Sequence, residues 1–194
     1  MSVTSIQFSE FRNKKILITG ASTGIGAELA RAFTKQGAIV GLHYLSSKDA
    51  AQKVASEIRG EGGRIELIKA DASDSEAMAG AVREAAEILG GLNGLINNAG
   101  GMVRRVPYAK VSDKDYDEIM DLNARSIVVA SREALPFLKE QGGFVINTTS
   151  IAARNGAGGG AGMYGSSKAF VSNVTRGMAK ELSLIHISEP TRPY

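Results

Sequence analysis

The chain has no cysteine among its 194 residues. That excludes a disulfide framework, a Cys-ligated zinc and a cysteine nucleophile. It suits a reducing compartment, so a cytoplasmic location is expected. No apolar run approaches the roughly 20 residues that a membrane-spanning helix needs, and residues 1–15 lack the apolar core of a signal peptide. No membrane partner is expected. Charge of one sign is lacking too: 23 Lys and Arg stand against 20 Asp and Glu, a net charge of +3. The tight basic clusters are Arg12-Asn13-Lys14-Lys15 and Arg104-Arg105, and aromatics, at 6% of the chain, do not interleave with them. A nucleic-acid surface is therefore not expected. Histidine occurs only as His43 and His186, and no metal site is expected.

What is present is an ordinary globular composition, 43% hydrophobic and 22% charged, which argues against disorder. At roughly 150 residues per domain, the length implies a single domain. Apolar runs over 15–19, 38–44, 64–70, 94–97 and 143–148 read as strands. Helical spacing or composition marks 25–35, 47–59, 74–89, 113–139 and 164–182. In the first helix the periodic apolar positions are Ile25, Leu29, Ala32 and Phe33. The helix over 113–139 is long enough to bend, and glycine-rich 153–162 is expected to be loop. Strand and helix alternate throughout. This predicts an α/β fold, a doubly wound parallel sheet of Rossmann-like type with helices on both faces.

Thr19-Gly20-Ala21-Ser22-Thr23-Gly24-Ile25-Gly26 follows the first strand and opens the first helix. Gly20 permits a tight turn. Gly24 and Gly26 allow backbone to approach a pyrophosphate and helix to pack on strand. The free N–H groups and positive helix end then face the phosphates. The strand before and helix after are the context this dinucleotide-binding pattern requires. The same stretch also contains G-x-S-x-G, which would make Ser22 the nucleophile of a hydrolase. That alternative needs a histidine in a structured loop. His43 falls within or at the end of a strand and His186 in the tail.

Tyr164 and Lys168 stand four apart, on one face of a helix. A phenol titrates near pH 10, too high for proton exchange at neutral pH, and a neighbouring ammonium favours its phenolate. The Y-x-x-x-K spacing alone is a common accident. Its weight comes from the order T-G-x-x-x-G-x-G, Asn97-Asn98-Ala99-Gly100, Asn123, Ser150, then Tyr164 and Lys168. With these motifs the chain, over 13–182, resembles the short-chain dehydrogenase/reductase family in its compact branch. The stretch Asn147-Thr148-Thr149-Ser150-Ile151-Ala152-Ala153-Arg154 is most similar to that of 3-oxoacyl-carrier-protein reductases.

The resemblance implies an NAD(P)-dependent oxidoreductase that transfers hydride between nicotinamide and a carbonyl or secondary alcohol. It makes Tyr164 the general acid or base. Lys168 favours the Tyr164 phenolate and binds the nicotinamide ribose. Ser150 donates to the substrate oxygen, and Asn123 holds a water that links Lys168 to solvent. Cofactor contacts would come from Gly20, Ser22, Thr23, Gly24, Ile25 and Gly26, from Ser46, from Asp71 and Ala72 beside the adenine, and from Asn98, Ala99 and Gly100, with Tyr164 and Lys168. Asp71 has an alternative role in capping or turn formation. Arg104-Arg105 lies near the substrate entrance, either as solvated charge or facing an acidic substrate. An acidic side chain after the second strand would bind the 2′-hydroxyl of NAD. Here His43-Tyr44-Leu45-Ser46-Ser47-Lys48 offers no carboxylate before Asp49. NADP is favoured over NAD on that ground, although Thr23 stands where NADP-preferring relatives often carry Arg or Lys.

The resemblance stops near Leu182. Such relatives continue with a sixth strand, a Pro-Gly loop on the nicotinamide, a substrate-covering segment, a helix and a seventh strand. Residues 183–194 do not read as that strand. They resemble a translated sequencing-adapter fragment, and native sequence is expected to end near Leu182 to Leu184. The expectation is an incomplete nucleotide-binding domain over 1–182, its fifth strand an open edge, with a non-native tail. The alternative to an active oxidoreductase is a nucleotide-binding fragment without turnover. Full-length relatives commonly form dimers or tetramers through the long helix and the catalytic helix. Ile127, Val128, Phe137 and Phe170 are candidates for core or interface.

Overall fold

In the computed structural model, residues 9–183 are described; the tail from 184 onward, His186 included, lies outside them. Five strands, β1 (Lys15–Ile18), β2 (Ile39–Tyr44), β3 (Arg64–Lys69), β4 (Gly94–Asn97) and β5 (Phe144–Asn147), form one parallel sheet in the order β3-β2-β1-β4-β5. Leu17 of β1 pairs with Gly41 of β2 on one side and Leu95 of β4 on the other. Strand order therefore reverses between β1 and β4, the switch point beyond which doubly wound sheets bind ligands.

Helices α1 (Gly24–Lys35) and α2 (Lys48–Gly60) cover one face, over a core of Ile16, Ile18, Val40, Leu42 and Ile96. Helices α3 (Ser75–Leu89) and α5 (Ser126–Gln141) cover the other, over Leu17, Ile68, Val82, Leu95 and Val129. β1 and β4 are buried on both faces, as their uninterrupted apolar runs require. Asp74 caps α3 by accepting from the Ala77 N–H at 2.9 Å, satisfying one of the donors that a helix start leaves unpaired.

Three expectations need correction. The inward face of α1 is Gly26, Ala27, Ala30 and Thr34, with Leu29 and Phe33 flanking it. Ile25 points outward and is 66% exposed, and Ala32 is exposed. Small residues win that face because the start of the helix lies close on Gly20, Ala21 and Asn98. The expected 113–139 helix, by contrast, holds as one helical path made of α4 (Asp113–Met120), a π-helical turn (Asp121–Arg125) and α5. Such π-helical turns cluster at functional positions. The glycine-rich stretch is not all loop. A single turn, α6 (Ala152–Asn155), takes up its start and is stopped by Gly156 in the left-handed conformation, φ 75°. The last helix, α7 (Gly162–Ser183), begins two residues earlier than predicted.

β5 lies at the sheet edge and none of its residues is buried; Ile146 is 48% exposed. Among the described residues nothing pairs with its outer side. Of the apolar candidates, Ile127 is core and Phe137 packs against the core, whereas Val128 and Phe170 are 38% and 41% exposed.

Candidate active site

A cavity of about 630 Å³ opens at the C-terminal ends of β1, β2 and β4. Its floor is the β1–α1 turn, which Thr19 fastens. Thr19, 2% exposed, accepts through Oγ1 from the N–H groups of Asn98 (3.0 Å) and Ala99 (2.9 Å). Asn98 returns the tie, donating from Nδ2 to the carbonyls of Thr19 (3.1 Å) and Gly20 (3.0 Å). The glycine loop and the Asn98-Ala99-Gly100 segment are thus one rigid unit. Gly26 makes this possible, because a Cβ there would stand 2.5 Å from the Gly20 carbonyl oxygen and 2.7 Å from Asn98 Nδ2. Gly24 plays a different part. Its φ of +56° favours glycine, and a Cβ on it would meet no protein atom.

Gly20, Ser22, Thr23 and exposed Ile25 line the cavity from the loop, and Ser46, Asp71 and Ala72 from the ends of β2 and β3. Asn98, Ala99 and Gly100 line the centre, and Ser150, Tyr164 and Lys168 the far wall. The structure therefore gathers nearly all of the predicted residues around one space. Gly24, Gly26 and Asn123 do not line it. Asp71 has taken up the turn role in part, since its Oδ1 accepts from the Ser73 N–H (2.8 Å) and hydroxyl (2.7 Å). A long, open cleft ending on main-chain groups at the start of α1 fits a dinucleotide, whose pyrophosphate seeks such a helix end.

Lys168 is 3% exposed, and its Nζ donates to the Thr148 carbonyl at 3.1 Å. Burial pushes its pKa below the ordinary lysine value. Gly100 lets Lys168 and Asn123 converge, because a Cβ there would lie 3.0 Å from Lys168 Nζ and 2.8 Å from Asn123 Oδ1. Asn123, fully buried in the π turn, is committed through its side chain. Nδ2 donates to the Gly101 (2.9 Å) and Ile119 (3.0 Å) carbonyls, and Oδ1 accepts from the Gly101 N–H (2.9 Å). Ser150 Oγ accepts from the Ala152 N–H at 3.2 Å, which leaves its own hydrogen to donate elsewhere.

Among the described residues, the Ser22 hydrolase alternative loses its histidine. His43 Nδ1 accepts from the Gly20 N–H at 3.1 Å and its other nitrogen meets the Ala70 carbonyl at 3.1 Å, so neither nitrogen is available to Ser22. The two arginines are also accounted for. Arg104 pairs with Asp115 (2.6 Å) and Glu118 of α4, and Arg105 reaches the Gly159 carbonyl at 3.1 Å. Asp115, held by the Ser112 hydroxyl and then by Arg104, has its pKa lowered to about 2. These ties span a loop in which Val103 has φ +47°, a costly conformation for a β-branched residue that persists when its surroundings over-determine it.

Sequence reasoning gave no role to Thr19 or to a partly buried amide ladder behind the site. Asn97 Nδ2 donates to Ser131 Oγ (3.1 Å) and Asn147 Oδ1 (2.8 Å), and Asn147 Nδ2 to Thr175 Oγ1 (2.9 Å), joining α5, β4, β5 and α7. The available signal was paired asparagines ending two strands, Asn97 and Asn147.

Comparison with known proteins agrees with this geometry. Residues 14–188 match the family described as short chain dehydrogenase. The chain is 31% identical over 171 residues to 3-oxoacyl-[acyl-carrier-protein] reductase FabG of Staphylococcus aureus, covering 88% of this chain and 69% of that protein. Among solved structures, the NADH-dependent reductase A1-R′ complexed with NAD superposes with a TM-score of 0.87 at 36% identity, covering 92% of this chain and 76% of that one. A short chain dehydrogenase from Burkholderia cenocepacia in complex with NADP gives 0.85 at 36% identity, covering 90% and 70%. With the sheet order, the glycine loop and the matched residues in agreement, the chain belongs to the short-chain dehydrogenase/reductase family of NAD(P)-dependent oxidoreductases.

Proposed function

We propose that the protein exchanges hydride between a nicotinamide cofactor and a small carbonyl compound or secondary alcohol, with Tyr164 moving the proton. The observation that carries this is the sharing of one cavity by Tyr164, Lys168, Ser150 and the glycine loop. When bound, the nicotinamide supplies the hydride or accepts it. The chain's own residues handle the proton and the charge. Ser150, one of its two lone pairs occupied by the Ala152 N–H, turns its hydroxyl hydrogen toward the substrate oxygen and stabilises charge developing there. Tyr164 gives its proton to that oxygen in reduction and takes it back in oxidation. Lys168 spends one N–H on the Thr148 carbonyl. Two donors remain for a ribose hydroxyl and for proton supply to Tyr164. With both amide hydrogens of Asn123 committed, a relay water there would rest on the remaining oxygen lone pairs. The remaining loop, β3-end and β4-end residues predicted as cofactor contacts hold the dinucleotide in the same reading.

NADP is the preferred cofactor in this proposal. The cavity beyond β2 is lined by Leu45, Ser46 and Ser47, with no carboxylate among them to repel a 2′-phosphate. Tighter binding of NADPH than NADH by intrinsic fluorescence titration supports it, and the reverse order counts against it. The exposed Val128 and Phe170 are proposed to face a second copy in a dimer or tetramer. A second reading, cofactor binding without turnover, is favoured by the uncovered β5 edge. Assay of NADPH oxidation with a ketone panel decides: turnover supports the oxidoreductase reading, while saturable binding with no turnover supports the second.

A further inference from the structure

The dinucleotide loop is held from outside the recognised motifs. His43, on β2, is 2% exposed and lines the cavity. Its main-chain carbonyl accepts from the Ala21 N–H at 2.8 Å. Its ring accepts from the Gly20 N–H through Nδ1 at 3.1 Å and faces the Ala70 carbonyl through Nε2 at 3.1 Å. A backbone N–H can only donate and a carbonyl can only accept. These two partners therefore fix the ring as the neutral tautomer with its hydrogen on Nε2. One side chain thereby clamps the first glycine of the loop to the end of β3.

We propose that His43 is a positioning residue for the cofactor loop that works only in its neutral form, so that acid releases Gly20 and weakens dinucleotide binding. This rests on the reading that the loop binds a dinucleotide. A proton on Nδ1 would set N–H against N–H at Gly20, and the contact would turn from attractive to repulsive. The glycine loop facing the ring contributes Gly20 and Ala21, and the end of β3 contributes Ala70, none of them charged. The charged neighbour is Asp71, which favours the protonated ring, but burial outweighs it and holds the pKa below the ordinary value of 6.5. The sign follows. Well above pH 6.5 the ring is neutral in folded and unfolded chains alike. As pH falls below that, the unfolded chain takes up the proton first, and the clamp is lost as the folded ring follows. Affinity then declines with a slope approaching tenfold per pH unit, on the order set by one proton.

The test is the dissociation constant of NADH from pH 8 to pH 5.5, for wild type, His43→Asn and His43→Phe. Asparagine keeps an acceptor near the position of Nδ1 and does not titrate. Weaker binding in acid for wild type, a flat profile for His43→Asn and weak binding at every pH for His43→Phe support the proposal. The same acid slope in His43→Asn, or wild-type binding that is flat or tighter in acid, overturns it. Wild type that fails to bind NADH and NADPH at pH 8 overturns the dinucleotide reading and this inference with it. Nitrogen-15 NMR of labelled histidine provides a check that needs no folded variant of His43. The chain has only two histidines, so a His186→Gln sample assigns the signals. An Nε2–H neutral ring at pH 7 is expected. An imidazolium or an Nδ1–H tautomer there refutes the clamp.

Discussion

Replacing Gly26 by alanine adds one methyl group and tests the closest approach in the site. That Cβ would stand 2.5 Å from the Gly20 carbonyl oxygen, 2.7 Å from Asn98 Nδ2 and 2.8 Å from Ala21 Cα. Gly20 and Ala21 oppose it with main chain, which has no rotamer to yield. Helix α1 must move off β1, or Asn98 must leave the Thr19 and Gly20 carbonyls. Overpacking of this kind costs about 1–3 kcal/mol. Each lost hydrogen bond adds about 0.5–1.5 kcal/mol. A loss of about 2–4 kcal/mol is expected, which for a chain of this length lowers the melting temperature by roughly 5–15 °C. Gly24→Ala is the control. It meets no protein atom, but it places a side chain at φ +56°, a cost of about 1–2 kcal/mol. Gly26→Ala should therefore destabilise more than Gly24→Ala, by thermal melting followed with circular dichroism, and should weaken NADPH binding. A Gly26→Ala protein that melts with wild type would refute the close packing of α1 on the Asn98 unit.

Three further outcomes are expected. Tyr164→Phe should lower turnover by about 10²-fold or more, the usual scale of general acid–base catalysis, with cofactor affinity nearly intact; turnover close to wild type removes Tyr164 from its role. Lys168 carries a pKa lowered by burial, so the folded protein bears the cost of its charge until pH rises through the folded pKa. Wild type should accordingly gain stability relative to Lys168→Met as pH is raised from 7 toward 10, measured by denaturant midpoints, and parallel pH profiles would contradict this. Ile146 lies half-exposed on the open β5 edge, and a charge on an edge strand discourages pairing between chains. Ile146→Lys should raise the protein concentration at which light scattering detects association, and unchanged scattering would show that this edge is not the route.

Local chemistry made most of the fold legible. Buried parallel strands announce themselves as apolar runs, as Leu17 and Leu95 do, because both faces of the sheet are covered. The glycine loop and the Tyr164–Lys168 spacing also read directly, since turn geometry and helical periodicity are properties of a few consecutive residues. The sequence alone thus determined the alternation of strands and helices, the sheet class and most of the residues that meet at the cavity. Tertiary structure decided which face of α1 turns inward, because the close approach at Gly26 favours Ala27 and Ala30 over the larger Ile25. It also decided the π turn that buries Asn123, the pairing of Arg104 with α4, and the tautomer of His43. Each of these depends on partners distant in sequence: Gly101 for Asn123, Asp115 and Glu118 for Arg104, Gly20 and Ala70 for His43. A hydrogen bond or ion pair is set by distance in space, and periodicity along the chain carries no record of it.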